Sequence, residues 1–158
     1  MKGNDKLIAE LNLLLGEELT AINQYMVHAE MNGNWGYTRL DEYIQKRAIS
    51  EMKHAEKLIE RILFLEGQPV VSKLNPIHIG QDVAKQFASD LKAEMTAVKH
   101  YNEVVKLAGD VGDYATQDIL KKILNDEDGH VDVIEENQDQ ISQIGIQGYL
   151  SQQIKEGA

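Results

Sequence analysis

Apolar residues fall along this chain at helical spacing in four long runs. From Asn4 onward, Leu7, Leu11, Leu14, Leu15, Ile22, Tyr25, Met26 and Ala29 recur three and four residues apart, the mark of one buried helix face, and Gly33-Asn34-Trp35-Gly36 closes the run. A second run carries Ile44, Ala48, Ala55, Leu58, Ile62 and Leu65 up to Gly67. Thr38, with Asp41 three residues on, is the expected cap at its start. A third begins near Asp82 with Val83, Phe87, Leu91, Val98, Tyr101, Val105 and Ala108, and Gly109 and Gly112 break it. The fourth, entered at Asp113, shows Tyr114, Leu120, Ile123, Leu124, Val131 and Ile134. A short fifth piece follows Gly145 with Ile146, Tyr149, Leu150 and Ile154. The pattern predicts an all-α fold, a four-helix bundle with a short fifth C-terminal helix.

The connections differ in length. Short turns join the first helix to the second and the third to the fourth, which makes each pair antiparallel neighbours. Both prolines, Pro69 and Pro76, fall in the much longer stretch between the second and third helices, so that stretch is expected to carry the chain the length of the bundle as one long crossover. The second helix also bears another apolar row, Ile49, Met52, Ile59 and Leu63, beside its main stripe. Either the stripe is wide or the row meets a second subunit.

The chain also repeats itself. A shift of 76 residues lays Glu18-Leu19-Thr20-Ala21-Ile22-Asn23-Gln24-Tyr25 on Glu94-Met95-Thr96-Ala97-Val98-Lys99-His100-Tyr101, and the same shift takes Glu51 to Glu127 and His54 to His130. Glu18 and Glu94 lie on the apolar stripes, flanked by Leu14 and Ile22 and by Leu91 and Val98. Glu51 and Glu127 are enclosed in the same way, so four carboxylates are expected to point inward. Ionised and unpaired in a shared interior, each would cost several kcal/mol. Protonation is one remedy and bound dications are the other, four negative charges balancing two divalent ions. Glu51 with His54 and Glu127 with His130 are Glu-x-x-His pairs, whose two donors project to one side of a helix. Two such pairs, each matched to an inward glutamate, form the dimetal pattern of helical bundles. Carboxylate and imidazole donors without sulfur suit iron or manganese.

Composition narrows the reading further. The 158-residue chain has no cysteine, which removes disulfides, thiolate metal sites and cysteine nucleophiles together. Its net charge of −10 argues against binding nucleic acid through the phosphates and favours cations as partners. It offers no apolar signal core and no membrane span, so a cytoplasmic location and one domain over 1–158 are expected.

The chain resembles the bacterioferritins, haem-containing members of the ferritin-like superfamily. The likeness runs through Met1-Lys2-Gly3, Glu18 to Tyr25, Asn34-Trp35-Gly36, Glu51-Met52-Lys53-His54-Ala55-Glu56, Glu60 to Gly67 and Asp126-Glu127-Asp128-Gly129-His130. It implies a ferritin-like four-helix bundle, assembled as a hollow shell of 24 subunits built from dimers, that oxidises Fe(II) with dioxygen or hydrogen peroxide and stores ferric mineral. Glu18 and Glu94 would be terminal ligands of a di-iron centre, Glu51 and Glu127 bridging ligands, and His54 and His130 the imidazole ligands. Tyr25 would stand near the metals, as a hydrogen-bonding or electron-supplying group or simply as a core tyrosine. Met52 would ligate the iron of a b-type haem at the subunit dimer interface, and a ferredoxin-type reductant would release iron. Some members carry a further inner-surface iron site of histidine and aspartate; Lys46 and Ser50 stand there in this chain, so that site is not expected. His28, His78 and His100 are expected on the surface. A ferritin-like di-iron peroxide reductase or oxygenase, and a structural bundle with protonated glutamates, are the alternative readings.

Overall fold

The computed structural model describes residues 1–154; the last four residues of the domain expected over 1–158 lie outside that range. Four helices follow one another: α1 (Asp5–Asn34), α2 (Thr38–Phe64), α3 (Val83–Asp110) and α4 (Tyr114–Ser151). Gly145, at φ +80 and ψ 156, breaks α4 and turns its last residues into a separate short segment. No β-strand occurs among the described residues.

The starts of three helices are fixed by short polar side chains. Asn4 accepts from the Leu7 N–H at 3.0 Å, Asp82 from Lys85 at 2.8 Å and Asp113 from Thr116 at 3.0 Å, each satisfying an amide that has no partner within the helix. The expected cap at Thr38 does not form. Thr38 is the first residue of α2 itself, and Tyr37 precedes it with no side-chain bond to the helix. Gly36 and Gly112, one repeat apart, both take positive φ (+85 and +77) just past the ends of α1 and α3, so the two turns are copies as well.

Helices in contact run antiparallel, α1 with α2 and α3, and α4 with α2 and α3, whereas α2 and α3, joined by the crossover beside α1, point the same way. Arg61 near the end of α2 reaches Asp113 at 3.2 Å and Thr116 at 2.8 Å at the start of α4, which pins those two ends together. Leu7, Leu11, Leu14, Leu15, Leu58, Ile62, Tyr101, Val104, Ala108, Leu120 and Ile123 form the main core. Burying each large side chain is worth about 1.5–3 kcal/mol. A smaller cluster of Leu40, Val83, Phe87, Ile134 and Tyr149 seats the C-terminal segment, whose Tyr149 hydroxyl donates to Asn137 at 2.6 Å. Several stripe positions lie outside the core. Met26 (51% exposed) and Tyr114 (68%) face outward, because each sits at the edge of an arc wider than its helix can bury, and Ile146 and Ile154 are also exposed.

Residues 65–82 cross the bundle along one ridge of α1. Asn12, Gly16, Thr20, Gln24, His28 and Asn32 succeed one another every four residues. Asn12 binds the carbonyl of Gln68 at 3.0 Å and the N–H of Val70 at 2.8 Å. Thr20 accepts from Asn75, Gln24 from His78 and His28 Nε2 from Gly80, at 2.9, 3.1 and 3.0 Å. Asn32 continues the ridge to Gln86 of α3 at 2.7 Å. Irregular backbone close to a core must find partners for its polar groups, and this ridge supplies them. His28, expected at the surface, is therefore fully buried. Its Nε2 accepts, which leaves the ring proton on Nδ1, 2.9 Å from Asp90 at an angle too oblique for a full hydrogen bond.

Candidate metal centre

Glu18, Glu51, His54, Glu94, Glu127 and His130 meet in the middle of the bundle, all nearly inaccessible to solvent. They form two overlapping groups, Glu18–Glu51–His54–Glu127 and Glu51–Glu94–Glu127–His130, and in each group one donor atom per residue lies within 4.8 Å of the others. Glu51 and Glu127 belong to both groups. His54 Nδ1 stands 2.8 Å from Glu127, 3.5 Å from Glu51 and 3.6 Å from Glu18. His130 Nδ1 stands 2.9 Å from Glu51, 3.4 Å from Glu94 and 3.6 Å from Glu127. The two imidazoles are 6.0 Å apart and nearly parallel, at 20°. The 76-residue repeat thus appears in space as a pseudo-twofold centre.

The orientation of the donors shows what they suit. One atom from each of the six residues (Glu18 Oε2, Glu51 Oε1, His54 Nδ1, Glu94 Oε2, Glu127 Oε1 and His130 Nδ1) is buried without a hydrogen bond, although some lie under 3 Å from a neighbour. Buried, unpaired and gathered in two groups, they form a donor set that a metal ion would satisfy. Burial pushes the carboxyl groups of Glu18, Glu51, Glu94 and Glu127 above their usual range; the charge of neighbouring carboxylates adds to it, while the contacts of Glu18 with Glu51 and of Glu127 with Glu94 pull those two back in part. Burial works against charge on His54, but contacts with Glu127, Glu18 and Glu51 outweigh it and raise its pKa strongly. A donor set of this sign and geometry fits two divalent cations.

Around this ring stands an outer one. Tyr101 donates to Glu18 at 2.6 Å and Tyr25 donates to Glu94, each from the opposite half of the repeat. Tyr25 thus stands against the Glu94 carboxylate, beside the six inward residues. On its apolar stripe Tyr101 reads as a core residue, and the repeat that aligns it with Tyr25 carries the signal for its second task. Burial is the first cause holding both phenols well above their ordinary pKa. On the far side of the imidazoles, His54 Nε2 lies 2.9 Å from Asp126 and His130 Nε2 lies 3.2 Å from Ser50. A cleft of about 490 Å³ between α1, α3 and the crossover reaches Glu18, Glu51, Glu94 and Glu127 past Glu17, His78 and Lys92. A groove of about 600 Å³ between α2 and α4 reaches His54 and Asp126.

A family model for the ferritin-like domain matches residues 8–144, a span that holds all six inward residues. The chain is 41% identical to a bacterioferritin of Brucella melitensis over 94% of this chain and 92% of the relative. The chain belongs to the bacterioferritin family. A bacterioferritin of Rhodobacter capsulatus is 40% identical over 94% of this chain and 92% of its own length, and one of Streptomyces coelicolor 35% over 99% and 93%. The bacterioferritin resemblance accordingly spans the bundle and not the acidic motifs alone.

The remaining expected positions fall outside the centre. Met52, on the outer face of α2, is 46% exposed beside Ile49 at 47%, and Leu63 is exposed too. Of that second row only Ile59 packs on the core, so a wide core stripe does not account for it. His78 is exposed as expected. His100 is instead partly buried, held between Glu17 at 2.8 Å and Glu10 at 2.7 Å. No helix among the described residues is long and apolar enough to cross a membrane.

Proposed function

We propose that this bacterioferritin takes up ferrous iron, oxidises it in pairs at the Glu18–Glu51–His54–Glu94–Glu127–His130 centre, and stores the ferric product inside a hollow homo-oligomeric shell of 24 subunits in the cytoplasm. The observation that carries the reading is the set of six buried donor atoms, one from each residue, left without hydrogen-bond partners around two shared points. The family and the names of its relatives support iron as the metal.

The chain's own residues account for the chemistry. Glu18 with His54 and Glu94 with His130 would hold one ferrous ion each, with Glu51 and Glu127 common to both groups. Two ferrous ions surrender one electron each, and the pair reduces dioxygen to hydrogen peroxide, or hydrogen peroxide to water, with two protons taken up. Holding both ions together delivers the two electrons to one oxidant molecule and limits the escape of half-reduced oxygen. Four carboxylates neutralise the two dications, and their flexible coordination accommodates the rise in iron charge. Tyr25 and Tyr101 donate hydrogen bonds to Glu94 and Glu18 and so fix the terminal carboxylates. The cleft past Glu17 and His78 supplies an approach for cations.

Exposure of Met52 and Ile49 on one outer face of α2 supports a b-type haem shared with a second subunit, Met52 supplying a thioether to its iron. Bound there, the haem would serve electron transfer, which suits release of stored iron by a ferredoxin-type reductant.

Stopped-flow oxidation of ferrous iron tests the centre. Glu18→Ala and His130→Ala are each expected to slow the reaction by about 100-fold or more, since even outer partners of metal ligands are worth about 10–100-fold. A parental rate in both variants would refute the assignment. An absorption spectrum of a bis-methionine haem that survived Met52→Leu would remove the haem site.

A further inference from the structure

The 76-residue repeat copies the six inward residues and the two tyrosines behind Glu18 and Glu94, but it does not copy what lies behind the two histidines. His54 Nε2 faces the Asp126 carboxylate at 2.9 Å, while the related nitrogen of His130 faces the Ser50 hydroxyl at 3.2 Å. Ser50 and Asp126 are themselves one repeat apart, so the same place in the pseudo-twofold centre holds a neutral group on one side and an anion on the other. A turn earlier on each helix the contrast recurs with the opposite charge. Arg47 on α2 corresponds to Ile123 on α4. The Arg47 guanidinium has its Nε buried without a hydrogen bond, and its field reaches Glu94, whereas Ile123 packs into the core.

Both differences act in the same direction on a bound cation. A carboxylate accepting the outer N–H of an imidazole raises the basicity of the inner nitrogen and locks the ring; a hydroxyl does so less. A fixed positive charge close to the site repels a dication, and an aliphatic side chain does not. Asp126 is 61% exposed, so its longer-range field is screened by water, but its direct bond to His54 is not. We propose that the two metal positions of this centre are unequal: the Glu18–His54 position, backed by Asp126, is the high-affinity one that fills first, and the Glu94–His130 position, backed by Ser50 and Arg47, is the weak one that fills second and exchanges. Asp126, Ser50 and Arg47 are positioning and tuning residues, since none of them is among the six inward donors. The inequality rests on the dimetal reading of the centre, and it makes the Glu94–His130 position the gate for oxidation, because the two-electron step waits for the second ion.

The probe is Zn(II), which occupies such donors without oxidation. Calorimetric titration of the intact assembled protein is expected to resolve two steps differing by about 10- to 100-fold in affinity. Anomalous diffraction from crystals grown with one equivalent of Zn(II) per subunit should place the ion between Glu18 and His54. Asp126→Ser, a change at an exposed position, should weaken the first step by about 10-fold or more and merge it with the second. Ser50→Asp combined with Arg47→Ile should instead strengthen the second step and bring it up to the first. Two equal steps in the parent protein, or a first ion lodged between Glu94 and His130, would overturn the inequality while leaving the dimetal reading standing. Absence of Zn(II) from both positions would overturn the two together.

Discussion

The inner ring of the centre, to which α1 contributes Glu18, and the crossover-facing ridge of the same helix have fared oppositely under duplication. In the ring, Glu18, Tyr25, Glu51 and His54 return as Glu94, Tyr101, Glu127 and His130, with the same contacts made in mirror order. Along the ridge, Asn12, Gly16, Gln24, His28 and Asn32 return as Ala88, Lys92, His100, Val104 and Ala108. Only Thr20 persists, as Thr96, and both hydroxyls bond the carbonyl four residues back, at 2.6 and 2.9 Å. Two metal ions held between the halves would require the same donors from each. A crossover exists once, so only one half must satisfy its backbone. Chemistry that is shared between halves preserves the repeat, and connectivity that is not shared erases it.

The most disruptive way to probe that difference is to remove His28. In His28→Ala the Gly80 N–H loses its acceptor and Asp90 loses a buried partner, with Gln24 left as its remaining contact, at 2.8 Å. Leaving such groups unmatched costs about 3 kcal/mol, to be read from denaturant unfolding. Metal stoichiometry should not change, because none of the six inward donors contacts His28. A variant as stable as the parent would mean that the ridge does not hold the crossover.

The two regions also differ in how legible they are before folding. The helices, the crossover and the six inward residues could all be read, because periodicity marks a stripe buried by other helices and the repeat picks out carboxylates that sit on it. The ridge could not. Asn12, Thr20, Gln24, His28 and Asn32 are spaced like a solvated polar face, and the irregular segment that buries five positions of the ridge has no periodicity of its own to give it away. His28 was accordingly expected at the surface. The same limit explains Thr38, where a plausible capping box was overridden by a tight turn through Gly36 that starts the helix one residue earlier. Asp126 and Ser50 were visible as a mismatch in the repeat, but only the contacts to His54 and His130 give the mismatch a meaning.

A smaller effect separates Gly16 from its counterpart Lys92. A Cβ at Gly16 would stand 2.9 Å from the Lys73 backbone carbonyl, which is held in place by the neighbouring crossover bonds. Overpacking of this kind costs about 2 kcal/mol, and the better helix propensity of alanine returns about 1 kcal/mol, so Gly16→Ala should destabilise by about 1 kcal/mol. Lys92→Ala, on an open part of α3, should stay within about 0.5 kcal/mol of the parent. Equal unfolding midpoints for the two variants would show that the crossover yields at Gly16, and the proposed asymmetry of packing would be lost.

The finest test concerns Gln24 and His100, the pair in which the ridge position keeps a polar group but changes its task. Gln24 is buried and serves Asp90 and the His78 N–H through an amide that carries no charge at any pH. His100 bridges α3 to α1 through Glu17 and Glu10, and Glu17 chiefly, against the opposing effect of burial, lifts its pKa from 6.5 to about 9. Because the folded value is the higher one, the stabilisation is complete below about pH 6.5 and fades as pH rises through about 9. His100→Gln should therefore cost about 1 kcal/mol at pH 6, the scale of a well-placed but partly solvated ion pair, and almost nothing at pH 10. Gln24→Ala should show no such pH dependence between those limits. If unfolding curves gave His100→Gln the same deficit at both pH values, the bridge would be holding α3 by packing rather than by charge, and the ridge position would be structural in both halves of the molecule.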